Sequence, residues 1–168
     1  MMKKVHKKAA SHKTQYKLLD PQIILVYSVI VIVIFFDQLT KYLIKTKMYL
    51  YQSIPVIKDV FHITYTTNAG AGFGILQNYR WFFILFTIIF LGFVYYTYLS
   101  HARKNNRDVY FDICIGLLVG GALGNFIDRL RFGFVVDFLD FKVWPTFNVA
   151  DSAVSIAAIG LVFWLWKK

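Results

Sequence analysis

The sequence contains no glutamate: all nine acidic residues are aspartates, set against 19 lysines and arginines. Its single cysteine, Cys114, can form no internal disulfide and reads as a small packing residue in an apolar stretch. Cysteines and histidines nowhere take metal-ligand spacing, and His62 stands alone on a strand-like segment, so no metal and no cofactor is expected. Internal repeats are also lacking, which argues against a transporter built from inverted halves. Charge is missing altogether from residues 21–36 and 81–99. What is abundant is apolar surface, 58% of 168 residues with 19% aromatic, and an ordinary soluble core is thereby excluded.

The apolar residues gather into runs at about 21–42, 81–99, 109–127 and 150–166. At ~1.5 Å per residue, roughly 17 to 22 residues match a hydrocarbon core of ~30 Å. The expected fold is an α-helical integral membrane protein with four transmembrane helices and a small extracytoplasmic β-element. Residues 1–20 form a basic cytoplasmic arm and 21–168 a four-span membrane domain, with an outer β or flap segment at about 48–79 and an outer loop at 128–149. The arm (Lys3, Lys4, Lys7, Lys8, Lys13, Lys17), the second connection (Arg103, Lys104, Arg107) and the final Lys167 and Lys168 share one side. The positive-inside rule makes that side cytoplasmic. The formal charge of +10 is thus a topology signal that also touches anionic membrane lipid, and nucleic acid is not expected as a partner. The first run does not read as a cleavable signal peptide, because no small-residue cleavage site follows it and Asp37-Gln38-Leu39-Thr40-Lys41 stands in its place.

Between the first two spans, Phe61-His62-Ile63-Thr64-Tyr65-Thr66 alternates in the manner of a strand and leads into Asn68-Ala69-Gly70-Ala71-Gly72-Phe73-Gly74. A phosphate loop is excluded there by the lack of a following Lys-Ser/Thr. A small sheet over the helix mouths, carrying a mobile flap from Phe61 to Gly74, is expected instead. In the third run Gly116, Gly120 and Gly124 recur every fourth residue and lead to Asp128, the spacing that lets helices approach closely in lipid.

The acids then carry the chemistry. Asp128 ends the third run and Asp151 opens the fourth, and the 22 residues between them are too few to cross twice. Asp137 must therefore lie on the same side, within the apolar segment Phe132–Phe141 that hugs or dips into the interface. A carboxylate at membrane depth costs several kcal/mol, so by default it marks function. Two carboxylates brought together cannot both ionise, which makes one an acid and the other a base. Bland alternatives exist: Asp128 could pair with Arg129, Asp151 could serve the N-terminus of the fourth helix, and Asp37 with Lys41 could be an ion pair one turn apart.

Five blocks in order, FDQLTK, NAGAGFG, GGALGNFIDR, VVDF and FNVADSA, resemble the lipoprotein signal peptidases (signal peptidase II). Gly72 departs from the family's usual alanine. The resemblance implies a membrane-embedded aspartic endopeptidase that cleaves a prolipoprotein before a diacylglyceryl-modified cysteine. It implies Asp137 and Asp151 as the catalytic dyad, supported by Asp37, Lys41, Asn68, Gly70, Asn125, Asp128, Arg129 and Asn148. It also implies the bacterial inner membrane, an active site at the outer interface, and cyclic-peptide inhibitors such as globomycin as ligands. The competing classes are a small multispan transporter or channel, which should carry acids through the whole bilayer depth, and a membrane scaffold, which leaves Asp137 unexplained.

Overall fold

The computed structural model describes residues 20–70, 76, 79–103 and 108–167. Four helices follow in order, α1 (Pro21–Lys47), α2 (Arg80–Arg103), α3 (Val109–Phe132) and α4 (Val149–Trp166), each long and apolar enough to cross a membrane. Strands β1 (Ser53–Ile57), β2 (Phe61–Asn68) and β3 (Val135–Phe141) form one antiparallel sheet in the order β1-β2-β3. Two of the connections between helices carry these strands, so one end of the bundle is the sheet end.

Helix boundaries follow local chemistry. Asp20 caps α1 by accepting from the Gln22 amide at 3.1 Å, with Pro21 placed where a missing N–H costs nothing. Asp108 does the same for α3, accepting from Tyr110 N at 2.9 Å. Gly133 stops α3 in the left-handed region (φ 83°), a conformation that glycine adopts freely.

The packing of α3 decides the architecture. Gly116 lies against Val29 of α1, Gly120 against Val33 and Gly124 against Asp37. Both partners advance by four residues, so α1 and α3 run side by side in register, and the next rung is an ion pair between Lys41 and Asp128. On another face, a Cβ at Gly121 would collide with the Ala150 carbonyl of α4. Small residues substitute here for the hydrophobic drive that lipid removes. A cluster of Val26, Val94, Phe111, Ile115, Leu118 and Ala157 ties all four helices together.

Two expectations need correction. Helix α3 continues five residues past 127, so Asp128 and Arg129 sit inside its last turns. The presumed outer loop at 128–149 contains β3, and Asp137 lies on a strand rather than on an interfacial loop. Val135, Val136, Asp137 and Phe138 are all buried, so both faces of β3 are covered and its sequence lacks the apolar/polar alternation of a half-exposed strand. Phe61–Asn68 is the central strand of the sheet, hydrogen-bonded to β1 on one edge and β3 on the other. Ala71, Gly72, Phe73 and Gly74 fall outside the described residues.

Candidate active site

A polar layer crosses the sheet end of this apolar bundle, with every element except β1 and α2 contributing polar groups to it. Helix α1 brings Asp37, Gln38 and Lys41. Helix α3 brings Asn125, Asp128 and Arg129. Strand β3 brings Asp137, the start of α4 brings Asn148 and Asp151, and the end of β2 with its following turn brings Asn68 and Gly70. All ten residues expected from sequence are therefore in one region. Asp37, Lys41, Asp128, Asp137 and Asn148 are almost wholly buried, none more than 3% exposed.

Asp151 and Asn148 are placed by the start of α4. Asn148 is the N-cap: its Oδ1 accepts from Asp151 N at 2.9 Å, and Asp151 Oδ2 accepts from Asn148 N at 3.2 Å. This reciprocal capping box fixes both side chains. The helix-capping alternative for Asp151 is therefore real, and it coexists with a role in the site. Asp151 Oδ1 also accepts from Asn125 Nδ2 at 2.7 Å.

Asp137 is reached from the other side of the same asparagine. Asn148 Nδ2 donates to Asp137 Oδ1 at 2.7 Å and to Asn125 Oδ1 at 3.1 Å. The two carboxylates are thus linked through two amides, Asp137–Asn148–Asn125–Asp151, with no basic group between them. Burial first, and then the nearby Asp151 charge, push the Asp137 carboxyl up to about 7 against hydrogen bonds from Asn148 and Asn68 and the Lys41 charge. A carboxyl poised there can hold a proton or release it near neutrality, which is what acid–base work requires.

Around this pair is a supporting shell. The Lys41 ammonium touches Asp37 Oδ2 at 2.8 Å, Asp128 Oδ2 at 3.1 Å and Asn125 Oδ1 at 3.0 Å. Asp128 accepts from Val136 N at 3.1 Å, so it aims β3 and holds the residue next to Asp137. Its ion pair is with Lys41, and the expected pairing with its neighbour Arg129 is not formed. Helix geometry explains the difference: adjacent residues point about 100° apart, whereas Lys41 faces Asp128 across the glycine ridge. Arg129 instead donates to the Gly70 carbonyl at 3.1 Å and lies over the Phe83 ring, while its charge faces Asp151, Asp137 and Asp128. Asp37 Oδ1 accepts from Ala150 N at 3.0 Å, tying α1 to α4.

Sequence reasoning passed over Gln38. Its amide nitrogen lies within 3.2 Å of Asp37 Oδ2, the Gly124 carbonyl and Asp128 Oδ1. An uncharged amide beside Asp37 at membrane depth was the available signal, since it too needs a partner there.

A family model described as signal peptidase (SPase) II matches residues 29–167. The chain belongs to the signal peptidase II family. It is 49% identical over 144 residues to the lipoprotein signal peptidase of Halothermothrix orenii, covering 86% of this chain and 97% of that protein. The lipoprotein signal peptidase of Brevibacillus brevis is 48% identical over 133 residues, 77% of this chain and 87% of that one. A solved bacterial membrane enzyme, determined by the in meso method at 2.3 Å resolution, superposes with a TM-score of 0.80 at 40% identity, over 86% of this chain and 89% of that chain. As a signal peptidase II family member the chain is a membrane peptidase, which sets aside the transporter and scaffold alternatives.

Proposed function

We propose that this peptidase removes the signal peptide from prolipoproteins by an aspartic mechanism, with Asp137 and Asp151 as the dyad. The observation that carries the assignment is the amide bridge joining these two carboxylates through Asn148 and Asn125. One carboxylate takes a proton from a water held between them as its oxygen attacks the scissile carbonyl. The protonated partner gives its proton to the developing oxyanion. As the C–N bond then breaks, the carboxyl that took the water's proton passes it to the leaving amine and a hydroxyl of the adduct returns its proton to the partner. The pair titrates as a unit, so base and acid belong to the dyad rather than to one residue each.

Asp37, Lys41, Asn68, Gly70, Asn125, Asp128, Arg129 and Asn148 hold the dyad or the peptide beside it. The bond cut is the one before a diacylglyceryl-modified cysteine, whose lipid chains stay in the bilayer while the backbone reaches the sheet end. Basic residues at 1–20, 103–107 and 167–168 favour a cytoplasmic opposite end, which supports a site at the outer interface of a bacterial inner membrane. Cyclic peptides such as globomycin would compete at the same mouth.

The test uses purified protein with a lipid-modified and an unmodified precursor. Cleavage of the first alone is expected, with no turnover by Asp137→Asn or Asp151→Asn. Substantial turnover by either well-folded variant removes that residue from the dyad. Tags at residues 1 and 168 should report cytoplasm and a tag near Lys58 the opposite face.

A further inference from the structure

We propose that Lys41 is a positioning residue: its buried ammonium fixes which way Asn125 faces, and through that amide and its own charge it holds the dyad in the singly protonated form. The inference rests on the peptidase reading above and goes beyond it by giving one supporting residue a definite task.

An ammonium has three protons and can accept nothing. Here the three acceptors around Lys41 Nζ are Asp37 Oδ2, Asp128 Oδ2 and Asn125 Oδ1, and the residue is 2% exposed. These three oxygens match the ammonium's three protons. The Asn125 oxygen must therefore face Lys41, and its amino group must face away, where Asp151 Oδ1 receives it at 2.7 Å. A flipped Asn125 would set N–H against ammonium and oxygen against carboxylate, two repulsions beside a buried ammonium. Asn148 reinforces the same orientation, because the Nδ2 that reaches Asp137 also donates to Asn125 Oδ1. One ammonium on α1 thus determines which face of an α3 amide the α4 carboxylate sees.

The charge acts alongside the geometry. Facing the dyad are Lys41 and Asp37 from α1 and Arg129 from α3, with the amides of Asn68, Asn125 and Asn148, and Asp128 stands behind them against Lys41 and Arg129. With both dyad acids ionised, four carboxylates stand against two cations. Taking Lys41 away leaves one cation against four acids, so the cluster keeps its protons to higher pH.

The experiment measures kcat and KM against pH for wild type, Lys41→Met and the double variant Lys41→Met/Asp128→Asn, all purified and acting on a lipid-modified precursor. For Lys41→Met, kcat should fall about 10-fold or more with KM nearly unchanged, because the donor to Asp151 loses its aim. The pH profile should also move to the alkaline side by about half a unit or more. The double variant removes one charge of each sign, and it stands in where the single variant does not fold. It should keep the low kcat while returning towards the wild-type pH profile. A Lys41→Met enzyme with less folded protein but wild-type kcat and pH profile per active molecule would overturn the proposal, as would wild-type kcat in the double variant. Failure of the wild-type enzyme to cut the precursor would instead overturn the peptidase assignment on which the proposal rests.

Discussion

The bundle is built on two different terms. Where α1, α3 and α4 meet, glycines press against side chains and carbonyls of the neighbouring helices, and the space between them is filled by a charged layer with its partners in place. Helix α2 packs chiefly on α3 and turns Trp81, Phe82, Leu85, Phe86, Ile89 and Phe93 outward. Its Gly92 has nothing within 4 Å of a built Cβ, and an apolar cleft of about 1000 Å³ opens between α2 and α1, lined by Val26, Ile30, Val94 and Tyr98 among others. The contrast has a physical cause. Buried charges are tolerable only if each finds its partners at fixed distance, so the helices that carry them must approach closely and rigidly. A helix whose span from 81 to 99 carries no charge has no such demand, since lipid satisfies its surface as well as protein does.

The largest effect should come from the dyad itself. Asp137→Asn and Asp151→Asn should each lower kcat by about 10³-fold or more in a cleavage assay with insertion unaffected, whereas substitutions along the outward face of α2 should leave kcat within about twofold.

The Asp137 charge should then show in stability. Its carboxyl binds a proton more tightly in the folded protein, at about 7, than in the unfolded chain near 3.8. Its contribution is therefore intact below pH 4, is lost as pH rises towards 7, and changes no further above that. Asp137→Asn cannot ionise, so its thermal midpoint should match wild type at pH 4 and exceed it above pH 7, by at most about 4 kcal/mol in free energy. An advantage that grew towards acid pH would contradict this sign.

Asp128→Asn should be milder than either dyad change. Lys41 keeps Asp37 as a counter-charge, but the Val136 amide and Gln38 lose a charged acceptor. A stability loss of about 2 kcal/mol with reduced but measurable cleavage is expected in thermal unfolding and turnover assays.

The smallest pair tests the comparison most directly. Gly121→Val forces α3 off the Ala150 carbonyl and should cost about 1–3 kcal/mol, measured as a lower unfolding midpoint. Gly92→Val on α2 meets open space and should stay within about 0.5 kcal/mol of wild type. Equal losses at the two positions would show that α2 is held as tightly as the rest.

Much of this was legible beforehand. Run length against bilayer thickness yields four spans, because in lipid a backbone that is not helical has nowhere to place its hydrogen bonds. Aspartates flanked by apolar residues, such as Asp137 between Val136 and Phe138, mark themselves as costly and hence as functional. Local capping is written in Asn148 and Asp151, three residues apart. Less visible was β3, whose two buried faces erase the alternation that reveals a strand.

What the sequence by itself determined was therefore which residues must be buried at membrane depth, and at which end of the spans they collect. Which partner each one takes was decided only by the tertiary structure. Lys41 bonds Asn125 across 84 positions and the Ala150 amide reaches Asp37 across 113, separations at which no local periodicity constrains a contact. Asp128 turned from its neighbour Arg129 to Lys41 because the glycine ridge brought α1 within reach. Hydrogen bonds depend on distance and direction to within tenths of an ångström, and only the packed helices supply those.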